Sequence, residues 1–303
     1  VKPFTPSDEP PVVRTQTATL FSPERPFRLE SGEVLAPVTV AYEAYGKLNA
    51  ARDNVILVCH ALTGSAHAAG YASLDEKSAG WWDPMIGPGR PLDTSRYCVI
   101  SSNFLGGCYG TTGPTATNPR TGKPYGMTFP EYTVRDMVHL QKALLDHLDV
   151  TRLAAVIGGS LGGMQVLEWP LLYPAMVSTI IPIATAARHS PWCIGLNDLA
   201  RQAITLDPAW RGGSYEPAAQ PGRGLSIARA IAMMSYRSDL SFLQRFGRDR
   251  VRPDEVDASL PPAEGPRFQV ERYLRYQGKK LVDRFDANTY LYITWAMDSH
   301  DVG

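Results

Sequence analysis

Leu153-Ala-Ala-Val-Ile157 is an apolar run that passes directly into Gly158-Gly-Ser-Leu-Gly-Gly163, and a helical stretch, Met164 to Trp169, follows at once. No other feature limits the fold so strongly. A strand that turns through glycines straight into a helix is a piece of an α/β sheet, in which crossovers carry the chain from one parallel strand to the next. Glycines at 158 and 162 permit a sharp turn that pushes the Ser160 hydroxyl above the sheet, with a helix N-terminus behind it to favour negative charge. In this G-x-S-x-G setting Ser160 reads as a nucleophile rather than as the N-cap of a flexible turn.

The remaining strands are read from the same kind of pattern. Val55-Ile-Leu-Val-Cys59, Arg96-Tyr-Cys-Val-Ile-Ser101 and Val177 to Ile183 are apolar runs of the type expected for parallel strands covered by helices on both faces. From Pro37 to Tyr45, Val38, Val40 and Tyr42 alternate with Thr39, Ala41 and Glu43, which predicts a half-exposed antiparallel strand. Thr133 to Leu148 predicts a helix: Thr133 and Asp136 form a capping-box start, and Met137, Leu140, Leu144 and Leu148 make one apolar stripe. Beyond Ala187 helical segments follow one another without a convincing strand, and Tyr290 to Trp295 looks like the return to the core. The expected organisation is an α/β core over residues 16–187 and 289–303, with a mostly parallel central sheet flanked by helices. A proline-rich extended arm precedes it over 1–15, and a helical insertion interrupts it over 188–288.

Thirty Lys and Arg balance thirty Asp and Glu, so the basic footprint of a general nucleic-acid binder is missing. No apolar run approaches the ~20 residues of a membrane span, and the first residues carry no signal-peptide core, so a soluble, cytoplasmic protein is expected. The four cysteines, Cys59, Cys98, Cys108 and Cys193, show neither a C-x-x-C pair nor zinc spacing, and no metal is expected. Cys59 and Cys98 read as small core residues. Cys108, in a Gly-rich loop, stays open as a second candidate nucleophile.

An acyl-transfer serine needs two backbone N–H donors for its oxyanion, one from the residue after it and one from an earlier strand-to-helix loop. Leu161 is the first. Leu62, in His60-Ala-Leu-Thr-Gly64 after the second strand, is the candidate for the other. His60 reads as a hydrogen bonder that shapes this loop, because in folds of this kind the base follows the serine in the chain. The Gly-rich segment Asn103 to Gly113 leaves two readings open, a phosphate cradle or a wall of the serine pocket. No G-x-x-x-x-G-K-[ST] is present, and Gly87-Pro-Gly89 lacks the third glycine of a dinucleotide fingerprint.

Several motifs together resemble the homoserine O-acetyltransferases: His60-Ala-Leu-Thr-Gly, Trp81-Trp-Asp83, Asn103-x-Leu-Gly-Gly-Cys-Tyr-Gly-Thr-Thr-Gly-Pro114, Ser160-Leu-Gly-Gly-Met, Arg188-His-Ser-Pro-Trp192, Gly224-Leu-x-x-Ala-Arg229, Tyr273-Leu-x-Tyr-Gln-Gly278, Phe285-Asp-Ala-Asn288 and His300-Asp-Val-Gly303. The resemblance runs from Thr19 to the end of the chain. It implies an α/β-hydrolase core with a helical lid, a homodimer formed through that lid, and transfer of an acetyl group from acetyl-CoA to L-homoserine on the route to methionine. Acetyl-CoA is then a co-substrate, and no cofactor is held permanently. Ser160 would carry the acyl group while the lid keeps water from it.

Arg229 matches the family's substrate-binding arginine. The residues alone read it as a solvated helix arginine, because Ile227, Ile231 and Met234 mark the expected buried stripe. The arginine-rich stretch from Arg223 to Arg252 leaves open an attraction for CoA phosphates or a charged outer face. The family places its catalytic aspartate and histidine beyond the His-Asp-Val-Gly motif, so both are expected beyond Gly303, and neither His189 nor His300 is expected to be the base. The alternatives are a succinyl or other acyl donor, another hydroxyl acceptor, an esterase, or an inactive binding protein on the same fold.

Overall fold

A computed structural model describes residues 12–73, 78–255 and 265–303 of the chain. Its strands, in chain order, are β1 (Gln16–Leu20), β2 (Phe27–Arg28), β3 (Val34–Leu35), β4 (Val38–Tyr45), β5 (Val55–Cys59), β6 (Ile86–Gly87), β7 (Leu92–Asp93), β8 (Cys98–Ser102), β9 (Leu153–Gly159) and β10 (Ile180–Ile183). Six of them build one sheet in the order β1-β4-β8-β5-β9-β10. The pairs β1/β4 and β4/β8 are antiparallel, and β8, β5, β9 and β10 run parallel. Helix α1 (Val134–His147) lies between β8 and β9 in the chain, and α2 (Leu161–Leu172) between β9 and β10. The start of α1 is a capping box: Asp136 N–H donates to the Thr133 hydroxyl at 3.2 Å, and Thr133 N–H to the Asp136 carboxylate at 2.9 Å.

Strand pleating sorts the core into two layers. Val55, Leu57 and Cys59 of β5 pack with Val138 and Leu145 of α1 and with Val166 and Trp169 of α2. Ile56 and Val58 face the other way, onto Ala68, Ala69, Ile86 and Leu92. The sequence reading expected helices on both faces of β5, but loop and ribbon residues cover this second face. Burial requires only that something apolar covers the strand. Two further expectations are corrected. Strand β4 is buried along nearly its whole length, and even Glu43 is 0 % exposed, its carboxylate enclosed by Thr15, Tyr45 and His67. Strand β10, expected to be buried, is the last strand of the sheet among the described residues, with Ile181 and Ile183 each 40 % exposed. Residues 1–11 of the expected arm lie outside the described residues. Residues 12–15 are tied down: Val13 N–H donates to Tyr71 O at 2.8 Å and the Thr15 hydroxyl to Glu43 at 2.7 Å.

The chain divides into two compact units, residues 1–189 with 295–303, and residues 190–294. The second unit contains α3 (Pro191–Thr205), α4 (Gly222–Ser235), α5 (Asp239–Phe246), α6 (Gln269–Val282) and the greater part of α7 (Ala287–Asp298). The division falls at 294/295 where the sequence suggested 288/289; both positions lie inside α7, which is one continuous helix. Within this unit α4 packs against α3 and α6 through small residues. A Cβ on Gly224 would collide with the Ala203 carbonyl, and one on Gly278 would lie 2.8 Å from the Ser226 carbonyl oxygen. The buried stripe of α4 is therefore Gly224, Leu225, Ala228, Ala232 and Met233. Ile227 and Met234, expected there, are 53 % and 50 % exposed. Close helix contact selects glycine and alanine over bulk.

Candidate active site

Strand β9 delivers the chain to Ser160, whose N–H donates to Ile183 O of β10 at 3.0 Å. Ser160 then takes φ 56°, ψ −123°, a left-handed conformation that β-carbons disfavour, and α2 begins at the next residue. The glycines around it are fixed by close approach. A Cβ on Gly158 would stand 2.6 Å from Cys59 O, one on Gly162 would overlap the same carbonyl, and one on Gly163 would stand 2.6 Å from Thr185 Cβ. The turn therefore leaves Ser160 exposed while Leu161, beside it, is 0 % exposed.

Leu161 is the first residue of α2, so its N–H has no acceptor within the helix. The Cys59 and His60 carbonyls that crowd Gly162 bring the end of β5 beside the same turn, and Leu62 lies two residues further along that loop. His60 Nδ1 donates to Ala61 O at 2.8 Å, and its ring stacks on Phe104 at 4.4 Å. Burial pushes its pKa down to about 4, against the weaker upward pull of the Ala61 hydrogen bond. His60 is a neutral loop former.

The motifs singled out in the sequence converge on the residues after Leu62. Ala66 N–H donates to Asn103 Oδ1 at 2.6 Å, Trp81 Nε1 to Ser65 O at 2.8 Å, Trp82 N–H to Ala68 O at 2.7 Å and Gly70 N–H to Asp83 at 2.8 Å. Sequence reasoning missed two further supports. Tyr45 accepts from the N–H groups of Ala68 and Ala69 at 2.8 and 3.1 Å and donates to Glu43 at 2.6 Å. His67 Nδ1 meets Glu43 at 3.1 Å. Burial pushes the Glu43 carboxyl up, but hydrogen bonds from His67, Tyr45 and Thr15 outweigh it and hold the group below the ordinary range. A glutamate in the middle of an apolar strand was the signal available in the sequence. The Gly-rich segment 103–113 turns its amides inward: Gly106 donates to Thr112 O at 2.9 Å, Gly107 to Phe104 O at 3.2 Å and Thr112 to Thr39 O at 2.9 Å. The amides of Gly106, Gly107 and Thr112 are thus engaged and not free to hold a phosphate.

His300 is buried, with Nδ1 3.5 Å from Glu168 Oε1. Glu168 also pairs with Arg135 at 3.0 Å and lies eight residues beyond Ser160 on α2, roughly 12 Å along the axis at 1.5 Å per residue. His189 Nδ1 meets Asp298 at 3.1 Å, and its N–H donates to His300 O at 3.1 Å. Cys59 and Cys98 are buried, and burial pushes the Cys59 thiol up to about 12, which removes thiolate chemistry there. Cys108, the second candidate nucleophile of the sequence, is partly exposed on the Gly-rich segment. None of the four cysteines is in a disulfide.

In the second unit Arg229 is half-buried on α4, with its guanidinium 5.6 Å from the Tyr236 ring centre. The later arginines lie against aromatic rings or carboxylates: Arg245 over Tyr273 at 4.8 Å, Arg250 over Phe268 at 5.5 Å and Arg252 on Glu255 at 3.2 Å. Among the described residues no three His, Cys, Asp or Glu side chains are grouped so as to hold a metal ion, and no helix is long and apolar enough to cross a membrane.

Residues 54–300 match the family described as alpha/beta hydrolase fold. The chain is 54% identical over 291 residues, 96% of this chain and 75% of the relative, to the homoserine O-acetyltransferase of Carboxydothermus hydrogenoformans. Among solved structures, homoserine O-acetyltransferase from Bacillus anthracis matches with a TM-score of 0.84 at 33% identity, over 96% of this chain and 77% of that one. Esterase E22 matches with a TM-score of 0.85 at 34% identity, over 96% of this chain and 79% of that one.

Proposed function

The chain belongs to the homoserine O-acetyltransferases, which are built on the α/β-hydrolase fold, and we propose that it moves the acetyl group of acetyl-CoA to the L-homoserine hydroxyl through an acetyl ester on Ser160. The observation that carries the reading is Ser160 itself, exposed and left-handed at the joint of β9 and α2. Its Oγ attacks the thioester carbonyl, and the N–H groups of Leu161 and Leu62 hold the oxyanion. The CoA thiol leaves with a proton. The homoserine hydroxyl then attacks the acetyl ester, passes through the same oxyanion site and frees Ser160. Arg229 holds the homoserine carboxylate.

The general base and its carboxylate are proposed to lie beyond Gly303. The burial of His300 against Glu168, eight residues along α2 from Ser160, supports this. A chain ending at Gly303 then shows negligible transfer, and the longer protein shows full transfer. If the shorter chain is fully active and His300→Ala abolishes that activity, His300 is the base instead.

A second reading, hydrolysis of the acetyl ester, draws support from the likeness to esterase E22. Mass spectrometry of the full-length protein with acetyl-CoA separates the two. An acetyl adduct on Ser160 that persists until homoserine is added supports transfer, whereas one lost to water without homoserine supports the esterase. Absence of both adduct and turnover would overturn both.

A homodimer formed through the helical unit is part of the proposal. Trp192, Leu199 and Leu206 recur at seven-residue spacing along α3 and its C-cap and are 76 %, 53 % and 78 % exposed. A cytoplasmic setting fits the four cysteines, none of them in a disulfide.

A further inference from the structure

The structure assigns Thr185, on the stretch after β10, as a positioning residue for the peptide that binds the oxyanion. The Thr185 hydroxyl donates to the Ser160 carbonyl at 2.9 Å. That carbonyl belongs to the same peptide unit as the Leu161 N–H. In a planar trans peptide C=O and N–H point in opposite directions, so a donor that pins the carbonyl also aims the N–H. Ser160 O has a second donor, Met164 N–H at 3.1 Å, which is the first rung of α2. Thr185 adds a donor from outside the helix, and a carbonyl that accepts more hydrogen bonding polarises its amide toward stronger donation.

Three features keep Thr185 in place. Ala184, immediately before it, has φ 44°, so a second non-glycine residue holds a left-handed conformation beside Ser160. The two lie at the ends of adjacent parallel strands, joined by the Ser160 N–H to Ile183 O bond at 3.0 Å. Gly163 leaves the space, since a Cβ there would stand 2.6 Å from Thr185 Cβ and 3.0 Å from its hydroxyl oxygen. Strain in a turn persists where the surrounding structure holds it, and here its product is one hydroxyl against the nucleophile's own carbonyl.

The assignment rests on Ser160 as acyl carrier. Its effect is confined to the tetrahedral stage, when charge develops on the oxyanion, so it acts on kcat and not on substrate binding. In the full-length protein, Thr185→Val removes the hydroxyl while keeping the shape. It is expected to lower kcat for acetyl transfer about tenfold with both KM values unchanged, a drop of the size of one neutral hydrogen bond. Affinity for a boronic acid, which becomes tetrahedral and anionic on the serine, should fall by a similar factor. Thr185→Ser, which keeps the hydroxyl, should restore kcat to within about threefold. If Thr185→Val does not fold, Thr185→Ala serves in its place. Wild-type kcat in the variant without the hydroxyl overturns the assignment, as does an equal loss in Thr185→Ser, which would show that the methyl group and packing are responsible. Ser160→Ala tests the underlying reading separately. Transfer that survives Ser160→Ala removes Ser160 as acyl carrier, whereas transfer abolished there but untouched in Thr185→Val removes only Thr185.

Discussion

His60 donates its Nδ1 proton to Ala61 O and stacks on Phe104, so a second proton would put an N–H among neighbours that offer Nε2 no acceptor among the described residues. The folded state therefore holds its pKa at about 4, against about 6.5 for an unfolded histidine. Between those values the unfolded chain binds the proton and the folded chain does not. Stability from this group is complete above pH ~6.5 and is lost as pH falls toward 4, by on the order of 3 kcal/mol in all. Denaturant midpoints measured across that window should depend less steeply on pH in His60→Phe. An unchanged slope would show that His60 titrates as an ordinary histidine. Arg229 has a different test at the same scale. Arg229→Ala should raise the KM for homoserine roughly ten- to a hundredfold, the worth of one charge-assisted carboxylate contact, while the rate of acylation by acetyl-CoA stays near wild type. An unchanged homoserine dependence removes Arg229 from the site.

The joint of β5, β9 and α2 depends on two backbones touching, which makes its glycines unlike glycines elsewhere. A methyl on Gly162 has the Cys59 carbonyl in its place, and backbone on both sides cannot yield as a flexible side chain would. Gly162→Ala should cost about 1–3 kcal/mol and slow acylation of Ser160 as the turn opens. Gly195, inside α3, has nothing within 4 Å of an added Cβ. Gly195→Ala should instead raise stability by about 0.5–1 kcal/mol, because alanine loses less entropy in a helix. Thermal melts of the pair check both signs, and equal effects would deny the difference in packing. The sequence carried the joint itself, because strand, glycines and helix are contiguous. It misjudged β4 and α4, whose burial depends on partners distant in the chain. Alternation in β4 could not reveal that Thr15, Tyr45 and His67 enclose the Glu43 carboxylate. The large residues of α4 could not reveal that its contacts are made through Gly224 and Ala228.

For the whole molecule, the exposed stripe Trp192, Leu199 and Leu206 is the basis of the proposed dimer. Leu199→Asp combined with Leu206→Asp should shift the full-length protein to monomer in light scattering while α3 stays folded by circular dichroism, and an unchanged mass would place any self-association elsewhere. Contiguous patterns were legible in the sequence by itself: the apolar runs of the sheet, the capping box of α1, the G-x-S-x-G turn and the motifs shared with the acetyltransferases. Each states a local backbone preference or a chemical requirement met within a few residues. The tertiary structure alone decided what depends on contacts across the chain. It tied the Trp-Trp-Asp motif, Asn103 and the buried Glu43 to one loop after Leu62. It set His300 against Glu168, and it brought Thr185 to the Ser160 carbonyl. A hydrogen bond between residues 25 positions apart, or a side-chain contact between residues 132 apart, leaves no period in the sequence. Its energy exists only once the sheet has brought the two ends together.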